Sequence, residues 1–214
     1  FRKLISNLYD GFIPDMDFST VRPAGSRLRT FGGRSSGPEP LQDLCNYTIN
    51  LFKSAKGRKL NDLEVHDLIC KIASVIVAGG VRRSALISLS NASSDRLRHA
   101  KNGQWYVAEP QRALANNSVA YTERPDVGLF LKEWRALIES KSGERGFFNR
   151  DAAERYLPDR REAGHDWGCN PCSEIILRPR QFCNLTEVVA RSDDDIDNLK
   201  RKIELATILG TVQS

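Results

Sequence analysis

The chain has 214 residues, of which 40% are hydrophobic and 28% charged, a composition that excludes a disordered segment and is ordinary for a folded domain. Its 32 basic and 27 acidic side chains leave a net charge of +5, a modest excess that suggests anionic partners. No apolar run is long enough to span a bilayer, no secretory signal is visible, and five cysteines, an odd number, argue against a disulfide framework. We therefore expect a cytoplasmic protein in a reducing compartment.

Patterns typical of helices and strands alternate along the chain. A helical pattern opens at Phe1, and a longer helix is predicted over residues 39–56, between two prolines and Gly57. Asn61 and Glu64 have the spacing of a capping box, which predicts a helix from Asn61 up to Gly79. Further helices are predicted at residues 126–140 and from residue 192 onward, and strands at residues 84–90, 118–122 and 184–190. The alternation predicts an α/β architecture, and no repeat or low-complexity tract divides residues 1–214 into more than one domain.

A block rich in arginine and glycine lies near the start of the chain. Its arginines are Arg22, Arg27, Arg29 and Arg34, and they alternate with Gly25, Gly32, Gly33 and Gly37. Backbone amides at glycines can approach an anion while guanidinium groups neutralise it, which suits a nucleotide phosphate. A solvated surface loop explains the same pattern equally well.

Two later segments are further candidates for ligand binding. Residues 91–114 are polar, include Gln104 and Arg112, and would be unusually long for a plain loop between two strands. The run Gly79-Gly80-Val81-Arg82-Arg83 looks like a phosphate loop but lacks Gly-Lys-Ser/Thr. A helix end followed by a basic turn accounts for its glycines and leaves its arginines without an assigned role.

The most informative segment is Asn170-Pro171-Cys172-Ser173-Glu174. It places an amide, a thiol and a carboxylate at alternating positions, so that on an extended segment or a tight loop the three side chains are expected to point the same way. A carboxylate can take a proton while a sulfur takes an electron or a hydrogen atom, which is the equipment for chemistry on a hydroxyl-bearing substrate. Pro171 stiffens the loop, and the apolar residues 175–177 can anchor it in a core.

Simpler explanations exist for these cysteines. A lone cysteine is usually a small buried hydrophobe, and a nearby glutamate usually faces solvent. Cys169 and Cys172 have the spacing of half a zinc site or of a thioredoxin-type pair, but no second Cys or His pair follows at the required spacing. Cys45 and Cys70 lie on helical patterns and are predicted to be core residues.

The run N-P-C-S-E-I-I-L from Asn170, with F-C-N-L-T-E-V around Cys183, resembles the active-site motif Asn-x-Cys-x-Glu of the ribonucleotide reductases. Three further runs, residues 22–40, 78–87 and 115–122, occur in the order expected for that family. With the short separation between Cys172 and Cys183, they are most similar to the monomeric, adenosylcobalamin-dependent class that acts on ribonucleoside triphosphates. Because members of that family are much longer, we expect this chain to be an internal piece of a longer protein.

This resemblance implies a fold and a set of catalytic roles. The fold is a ten-stranded α/β barrel with the catalytic cysteine on a central loop, and this chain would supply part of it, with residues 165–190 as the loop and the strand that follows. Cys172 would carry a thiyl radical, Glu174 would act as general base, and Asn170 would bind the ribose hydroxyls. Cys183 would form a redox-active disulfide with a cysteine expected upstream of Phe1.

The resemblance also implies a cofactor and partners. The cofactor would be adenosylcobalamin, bound mostly by parts outside these residues, and the reductant thioredoxin or a similar dithiol. Deoxynucleotide effectors would bind in the front part, with residues 102–112 as a specificity loop; the candidate binding residues are Arg22, Arg29, Arg34, Arg82, Gln104 and Arg112. We expect no metal ligands, no nucleic-acid or membrane partner, a monomer, and no activity from the isolated piece.

Two alternatives stay open. The chain could belong to the large subunit of a di-iron-dependent ribonucleoside-diphosphate reductase, although the short spacing from Cys172 to Cys183 speaks against that class. It could also be a basic, non-catalytic nucleotide-binding module, in which Cys172 and Glu174 are incidental. The chain shows no recognisable nucleic-acid motif.

Overall fold

The computed structural model describes residues 1–29, 32–78, 81–82 and 84–213, and at residues 77, 78, 81 and 82 it describes the backbone alone. The helices are α1 (Arg2–Tyr9), α2 (Glu39–Ser54), α3 (Asp62–Ser74), α4 (Asp95–Arg98), α5 (Trp105–Ala108), α6 (Val127–Ser140), α7 (Arg150–Arg155) and α8 (Ile196–Val212), with a 3₁₀ turn at Pro110–Leu114. The strands are β1 (Val77–Ala78), β2 (Val81–Arg82), β3 (Leu86–Ser90), β4 (Ala115–Tyr121), β5 (Gly146–Asn149), β6 (Gly168–Cys169) and β7 (Ile176–Leu177). No helix within these described ranges is long and apolar enough to cross a membrane.

A parallel sheet of three strands, in the order β3-β4-β5, organises the middle of the chain. β3 pairs with β4 from Leu86 opposite Ala115 to Ser90 opposite Val119, and β4 pairs with β5 from Ser118 opposite Gly146 to Tyr121 opposite Asn149. Parallel neighbours need a crossover connection, which α4, α5 and the 3₁₀ turn supply before β4, and α6 before β5. The predicted α/β architecture is therefore confirmed, with a parallel sheet.

Local sequence signals locate most helices. Asn61 accepts a hydrogen bond from the Glu64 backbone amide at 3.0 Å, and the Glu64 carboxylate accepts one from the Asn61 amide at 2.9 Å, which is the predicted capping box. Asp126 caps α6 in a similar way through the Leu129 amide. The helices predicted at residues 39–56, 126–140 and after residue 192 are confirmed as α2, α6 and α8.

The predicted strand at residues 184–190 is wrong, because these residues adopt irregular backbone. Alternating side chains are not sufficient for a strand, since a strand also needs a neighbour for its backbone hydrogen bonds. Residues 91–114 are not a plain loop either, because they hold two short helices and the 3₁₀ turn.

One face of α3 is apolar and exposed. Val65, Ile69 and Ile72 lie on this face with exposed fractions of 41%, 48% and 36%. The face turned inward carries His66 and Asp67 beside the smaller apolar residues of the helix. On the buried face, Asp67 contacts Arg112 of the crossover segment, and His66 contacts Asn117 of β4.

A buried ionic cluster connects α4, α6 and the loop before β5. Glu133 accepts hydrogen bonds from Arg98 at 2.7 and 2.9 Å and from Arg145 at 2.6 and 2.9 Å. The three side chains are at most 1% exposed. Burial alone would raise the pKa of Glu133, but the hydrogen bonds from Arg145 and Arg98 outweigh burial and lower it. One carboxylate thus holds two guanidinium groups inside the fold.

Glu133→Gln is expected to lower the free energy of unfolding by about 3 kcal/mol or more, because it leaves the buried Arg145 without a carboxylate and leaves Arg98 with Asp95 alone. The matched control is Glu139→Gln, which breaks an exposed pair with Arg135 on the same helix and should cost less than about 0.5 kcal/mol. Urea unfolding measures both changes. Equal losses for the two variants would contradict the importance of the buried cluster.

Candidate functional site

The segment with the Asn-x-Cys-x-Glu motif forms the tip of a short hairpin. Its two strands, β6 and β7, pair antiparallel with Cys169 opposite Ile176, and residues 170–175 connect them. Cys169 and Ile176 pack against Ala120 of β4 and Phe148 of β5 in one hydrophobic cluster. The apolar residues after the motif therefore anchor the loop on the parallel sheet, as the sequence predicted.

A tight turn shapes the tip of this hairpin. The Ser173 amide donates to the Asn170 carbonyl at 3.0 Å, with Pro171 in the second position of the turn, where its fixed φ is favourable. Ser173 itself has a φ of 69°, in the left-handed region that glycine usually occupies in hairpin loops of this kind. The turn, and not an extended segment, therefore determines where the motif's side chains point.

Asn170 braces this turn from inside. It is 4% exposed, its Oδ1 accepts from the Ile175 amide at 3.1 Å, and its Nδ2 donates to Oε1 of Glu174 at 2.5 Å. Cys172 and Glu174 are exposed. The expectation that the three side chains point the same way is therefore wrong, because the turn directs Asn170 inward. The Asn170 amide and the Glu174 carboxylate are nevertheless in direct contact.

The five cysteines are all unpaired, and they fall into two groups. Cys45, Cys70 and Cys169 are buried, which confirms the core position predicted for Cys45 and Cys70. Cys172 is exposed at the tip of the hairpin, and Cys183 is partly buried in the irregular segment that follows β7. The structure thus presents the Cys172 thiol to solvent and does not bond Cys183 to it.

A cavity of about 490 Å³ lies beside the hairpin. Arg160, Arg161 and Arg178 line it together with Trp167 and Phe182. Arg161 lies 4.7 Å over the Trp167 ring and donates to the Ile176 carbonyl of β7 at 2.8 Å. Sequence reasoning missed this cluster because its members are scattered over irregular segments. Guanidinium groups beside aromatic rings suit a ligand that is both anionic and planar.

The described residues of the arginine and glycine block form a loop whose arginines are exposed. Ser35 and Ser26 are joined by a backbone hydrogen bond of 2.7 Å, and Arg34 donates to the Gly25 carbonyl at 2.8 Å. Arg22 and Arg29 are exposed, and Gly37 has a φ of 83° with no room for a side chain next to Glu39. Anion binding by this loop stays a prediction, and the side chain of Arg82 lies outside the described part of the structure.

The predicted specificity loop, residues 102–112, is attached to α3. Gln104 is exposed at the start of α5, whereas Arg112 donates to both carboxylate oxygens of Asp67, at 2.6 and 2.5 Å, and to the Ala100 carbonyl at 2.7 Å. Burial alone would raise the pKa of Asp67, but the hydrogen bonds from Arg112 and His66 lower it. The effector role of Gln104 and Arg112 stays a prediction. The hydrogen bonds to Asp67 hold the Arg112 side chain against α3.

His66 lies next to this ion pair and connects it to β4. Its Nδ1 lies 3.3 Å from the Asp67 carboxylate, and its Nε2 lies 3.2 Å from Oδ1 of Asn117. Burial opposes protonation of the ring, but the interactions with Asp67, Cys70 and Asn117 outweigh burial and raise the pKa of His66 to about 9. At neutral pH, His66 is therefore protonated, and its positive charge lies next to the ion pair of Asp67 and Arg112.

Because the pKa of His66 is raised in the folded state, its stabilising contribution is fully present below pH 6.5 and is lost as the pH rises through about 9. We expect the free energy of unfolding to fall across this interval, and the fall to be smaller in His66→Gln. His99→Gln, at an exposed histidine, is the control and should keep the pH dependence. Denaturant unfolding at a series of pH values checks this. An unchanged slope in His66→Gln would contradict the assignment.

Ser173→Val is expected to destabilise the protein by about 1–2 kcal/mol, because a β-branched side chain is strained at a positive φ. Ser173→Gly should be tolerated without loss, since glycine adopts this conformation freely. Thermal unfolding of both variants measures the difference. A valine variant as stable as the glycine variant would show that the turn is different in solution.

Curated relatives match most of this chain. Proteins named adenosylcobalamin-dependent ribonucleoside-triphosphate reductase are 35% identical over 178 residues in Lacticaseibacillus paracasei and 33% identical over 180 residues in Levilactobacillus brevis, each match covering 81% of this chain and 23% of the relative. The protein of that name in Lactobacillus acidophilus is 32% identical over 201 residues, which are 90% of this chain and 26% of the relative.

The chain thus spans about a quarter of the length of the curated relatives it matches. No protein-family model matches it, and no solved structure matches it significantly. The resemblance indicated by the motifs is confirmed: over at least four fifths of its length, this chain is homologous to a segment of the adenosylcobalamin-dependent ribonucleotide reductases.

Proposed function

We propose that the complete polypeptide carrying this segment is an oxidoreductase that converts ribonucleoside triphosphates to 2′-deoxyribonucleoside triphosphates, the precursors of DNA, by a thiyl-radical mechanism. The observation that carries the proposal is the anchored hairpin, which presents an exposed Cys172 beside the paired Asn170 and Glu174. The names of the relatives, which are 31–35% identical to this chain, support the substrate class. The basic and aromatic cavity beside the hairpin has the chemistry that a nucleotide would need.

The fold that we propose for the whole is the ten-stranded α/β barrel, of which residues 1–214 form part of a single domain. The three-stranded parallel sheet with helical crossovers is the element of this chain that suits such a barrel. The exposed apolar faces of α3 and α8 offer surfaces that further elements of the barrel would cover.

The loop residues would share the work on the ribose. Cys172 would give up its sulfur-bound hydrogen and then take the hydrogen from C3′ of the sugar, and Glu174 would accept the proton of the 3′ hydroxyl. The Asn170 amide has two N–H groups, and since one donates to Glu174, the other is left for a ribose hydroxyl. These contacts would hold the sugar over the sulfur.

Reduction at C2′ requires two electrons. We propose that Cys183 and a partner cysteine outside this chain supply them: two thiols become a disulfide, the 2′ hydroxyl leaves as water, and a hydrogen takes its place. Thioredoxin or a similar dithiol would reduce the disulfide again. The partial burial of Cys183 in an irregular segment leaves its thiol free to pair with such a cysteine.

The proposed cofactor is adenosylcobalamin, which when bound supplies the radical chemistry that removes the hydrogen atom from the Cys172 thiol. The exposed thiol at the hairpin tip fits the approach of so large a group. Cys172 is the residue of this chain that would face it. Parts of the protein beyond these residues would provide most of its binding site.

The proposed function also includes regulation by effectors, an oligomeric state and a place in the cell. Deoxynucleotide effectors would bind at the exposed loop with Arg22, Arg29 and Arg34, and residues 102–112 would transmit their identity to the choice of substrate. We propose that the protein is a monomer, as the resemblance implies. We also propose that it works in the cytoplasm, because the mechanism needs reduced thiols and all five cysteines are unpaired.

The decisive experiment mixes the complete polypeptide anaerobically with adenosylcobalamin, a ribonucleoside triphosphate, a deoxynucleotide effector and a dithiol, and measures deoxynucleotide formation and the paramagnetic resonance spectrum. We expect product and an exchange-coupled radical signal, both lost in Cys172→Ser. Cys169→Ser, three residues away in the hydrophobic cluster, is the matched control and should keep both.

Other outcomes would replace the proposal. Activity that needs a di-iron subunit and no adenosylcobalamin would assign the chain to the ribonucleoside-diphosphate reductases and keep the roles of Cys172 and Glu174. Nucleotide binding without any reduction, steeply dependent on salt and unchanged in Cys172→Ser, would indicate the non-catalytic module.

A further inference from the structure

We propose that Asn116 of β4 is a positioning residue for the reactive cysteine: its side-chain amide fixes the Pro171–Cys172 peptide unit and thereby the place of the Cys172 sulfur. The observation is a hydrogen bond of 2.6 Å from Nδ2 of Asn116 to the Pro171 carbonyl, across 55 positions of sequence. The part of this inference that concerns the reaction rests on the proposed reductase function.

The sheet face that carries Asn116 is the face on which the hairpin packs. Side chains four positions apart on a strand point to the same side, so Asn116 and Ala120 share one face of β4. Ala120 contacts the hairpin through the cluster that contains Cys169 and Ile176. Asn116 therefore lies at the end of an apolar contact surface, where the stem of the hairpin gives way to its tip.

The tip has many internal hydrogen bonds but few to the rest of the protein. Asn170, Ser173, Glu174 and Ile175 bond to one another through the turn and the Asn170 side chain. Within the described parts of the chain, the bond from Asn116 is the one hydrogen bond that joins residues 170–175 to an element outside the hairpin. The internal bonds fix the shape of the tip, and Asn116 fixes its orientation relative to the sheet.

The acceptor of this bond is well placed to control the cysteine. The Pro171 carbonyl belongs to the planar peptide unit that also contains the Cys172 nitrogen, so a bond to the carbonyl restrains rotation of the whole unit. Proline has no amide hydrogen of its own, and its carbonyl is the group through which the backbone can be held at this point. A fixed peptide plane in turn fixes the positions of the Cys172 nitrogen and Cα, and the turn closed by the Ser173 amide restrains the remaining rotation that directs the Cα–Cβ bond.

The donor is held from the opposite side of the sheet. Asn117, the next residue of β4, is 4% exposed and points the other way, toward His66 at 3.2 Å, while its backbone amide donates to Glu144 at 2.8 Å. β4 is also the central strand of the sheet, paired with β3 at Asn116 itself and with β5 from Ser118 onward. Asn116 thus projects from a strand that is restrained at Asn116 by β3 and at Asn117 by Glu144 and His66, as a positioning residue requires.

The test uses the complete polypeptide with three variants. Asn116→Leu keeps the approximate shape and removes the donor, and Asn116→Gln keeps a donor on a longer side chain. Asn50→Leu, at an exposed position on α2, is the control for adding a leucine to the surface. Should Asn116→Leu lower the melting temperature, Asn116→Ala, which also removes the donor but adds no large apolar side chain, takes its place.

The first readout is amide hydrogen exchange and does not depend on the proposed reaction. In Asn116→Leu we expect exchange at Ser173 and Ile175 to rise roughly two- to tenfold, the effect of losing one neutral hydrogen bond, with exchange in β3, β4 and β5 unchanged. Asn116→Gln should lie closer to the wild type, and Asn50→Leu should match it. Unchanged exchange at the tip of Asn116→Leu would overturn the inference.

The second readout is steady-state kinetics. If the wild type reduces ribonucleotides, kcat of Asn116→Leu should fall about tenfold or more while KM changes little, because a small displacement of the reacting sulfur slows the chemical step more than it weakens binding. An unchanged kcat beside a loosened tip would overturn the positioning role. A wild type without reductase activity would instead refute the proposed function, and the exchange experiment would still decide whether Asn116 fixes the tip.

Discussion

The pairing of β4 with a parallel neighbour on each edge is the constraint on which the described structure depends. Parallel pairing requires crossovers, and these place α4, α5 and the 3₁₀ turn before β4, and α6 after it. One face of the sheet receives the hairpin with Cys172, and on the other side Asn117 contacts the buried His66, which in turn contacts Asp67. A single strand therefore connects the loop that carries Cys172 to the buried charged residues.

Buried charged side chains of the described structure lie next to side chains of opposite charge. Glu133 faces two arginines, Asp67 faces Arg112 and His66, and Lys101 donates to Glu144, whose second oxygen accepts the Asn117 amide. Such clusters add little net stability compared with apolar packing, but each is costly to break, so they favour one arrangement of the segments over others. Asp67 of α3 and Arg112 of the crossover segment form one of these pairs, so the buried face of α3 carries charge.

What the sequence could predict depends on the distance over which each contact acts. The capping box of Asn61 and Glu64 and the cap at Asp126 involve neighbours in sequence, and both helices were predictable. The motif at residues 170–174 identified the candidate site because its amide, thiol and carboxylate lie within five residues of sequence. β6 and β7, with two residues each, exist because Cys169 and Ile176 pack on a sheet far away in sequence, and no local pattern signals that. No local pattern signals the contact between Asn116 and Pro171 either. Residues 184–190 show the opposite case, because they have a strand-like pattern but no strand pairing.

The order of the parallel strands also has a consequence for how the chain folds. β3, β4 and β5 are neighbours in space in the order in which they occur in sequence, and each is joined to the next by a segment that packs locally. The entropy of closing each loop is therefore limited, and the sheet can assemble progressively, strand by strand, without waiting for distant parts of the polypeptide. The hairpin with Cys172 follows β5 in the chain, so the surface that receives it can be complete before it is made. During synthesis, the hairpin with the Cys172 thiol would dock onto a scaffold that is already folded.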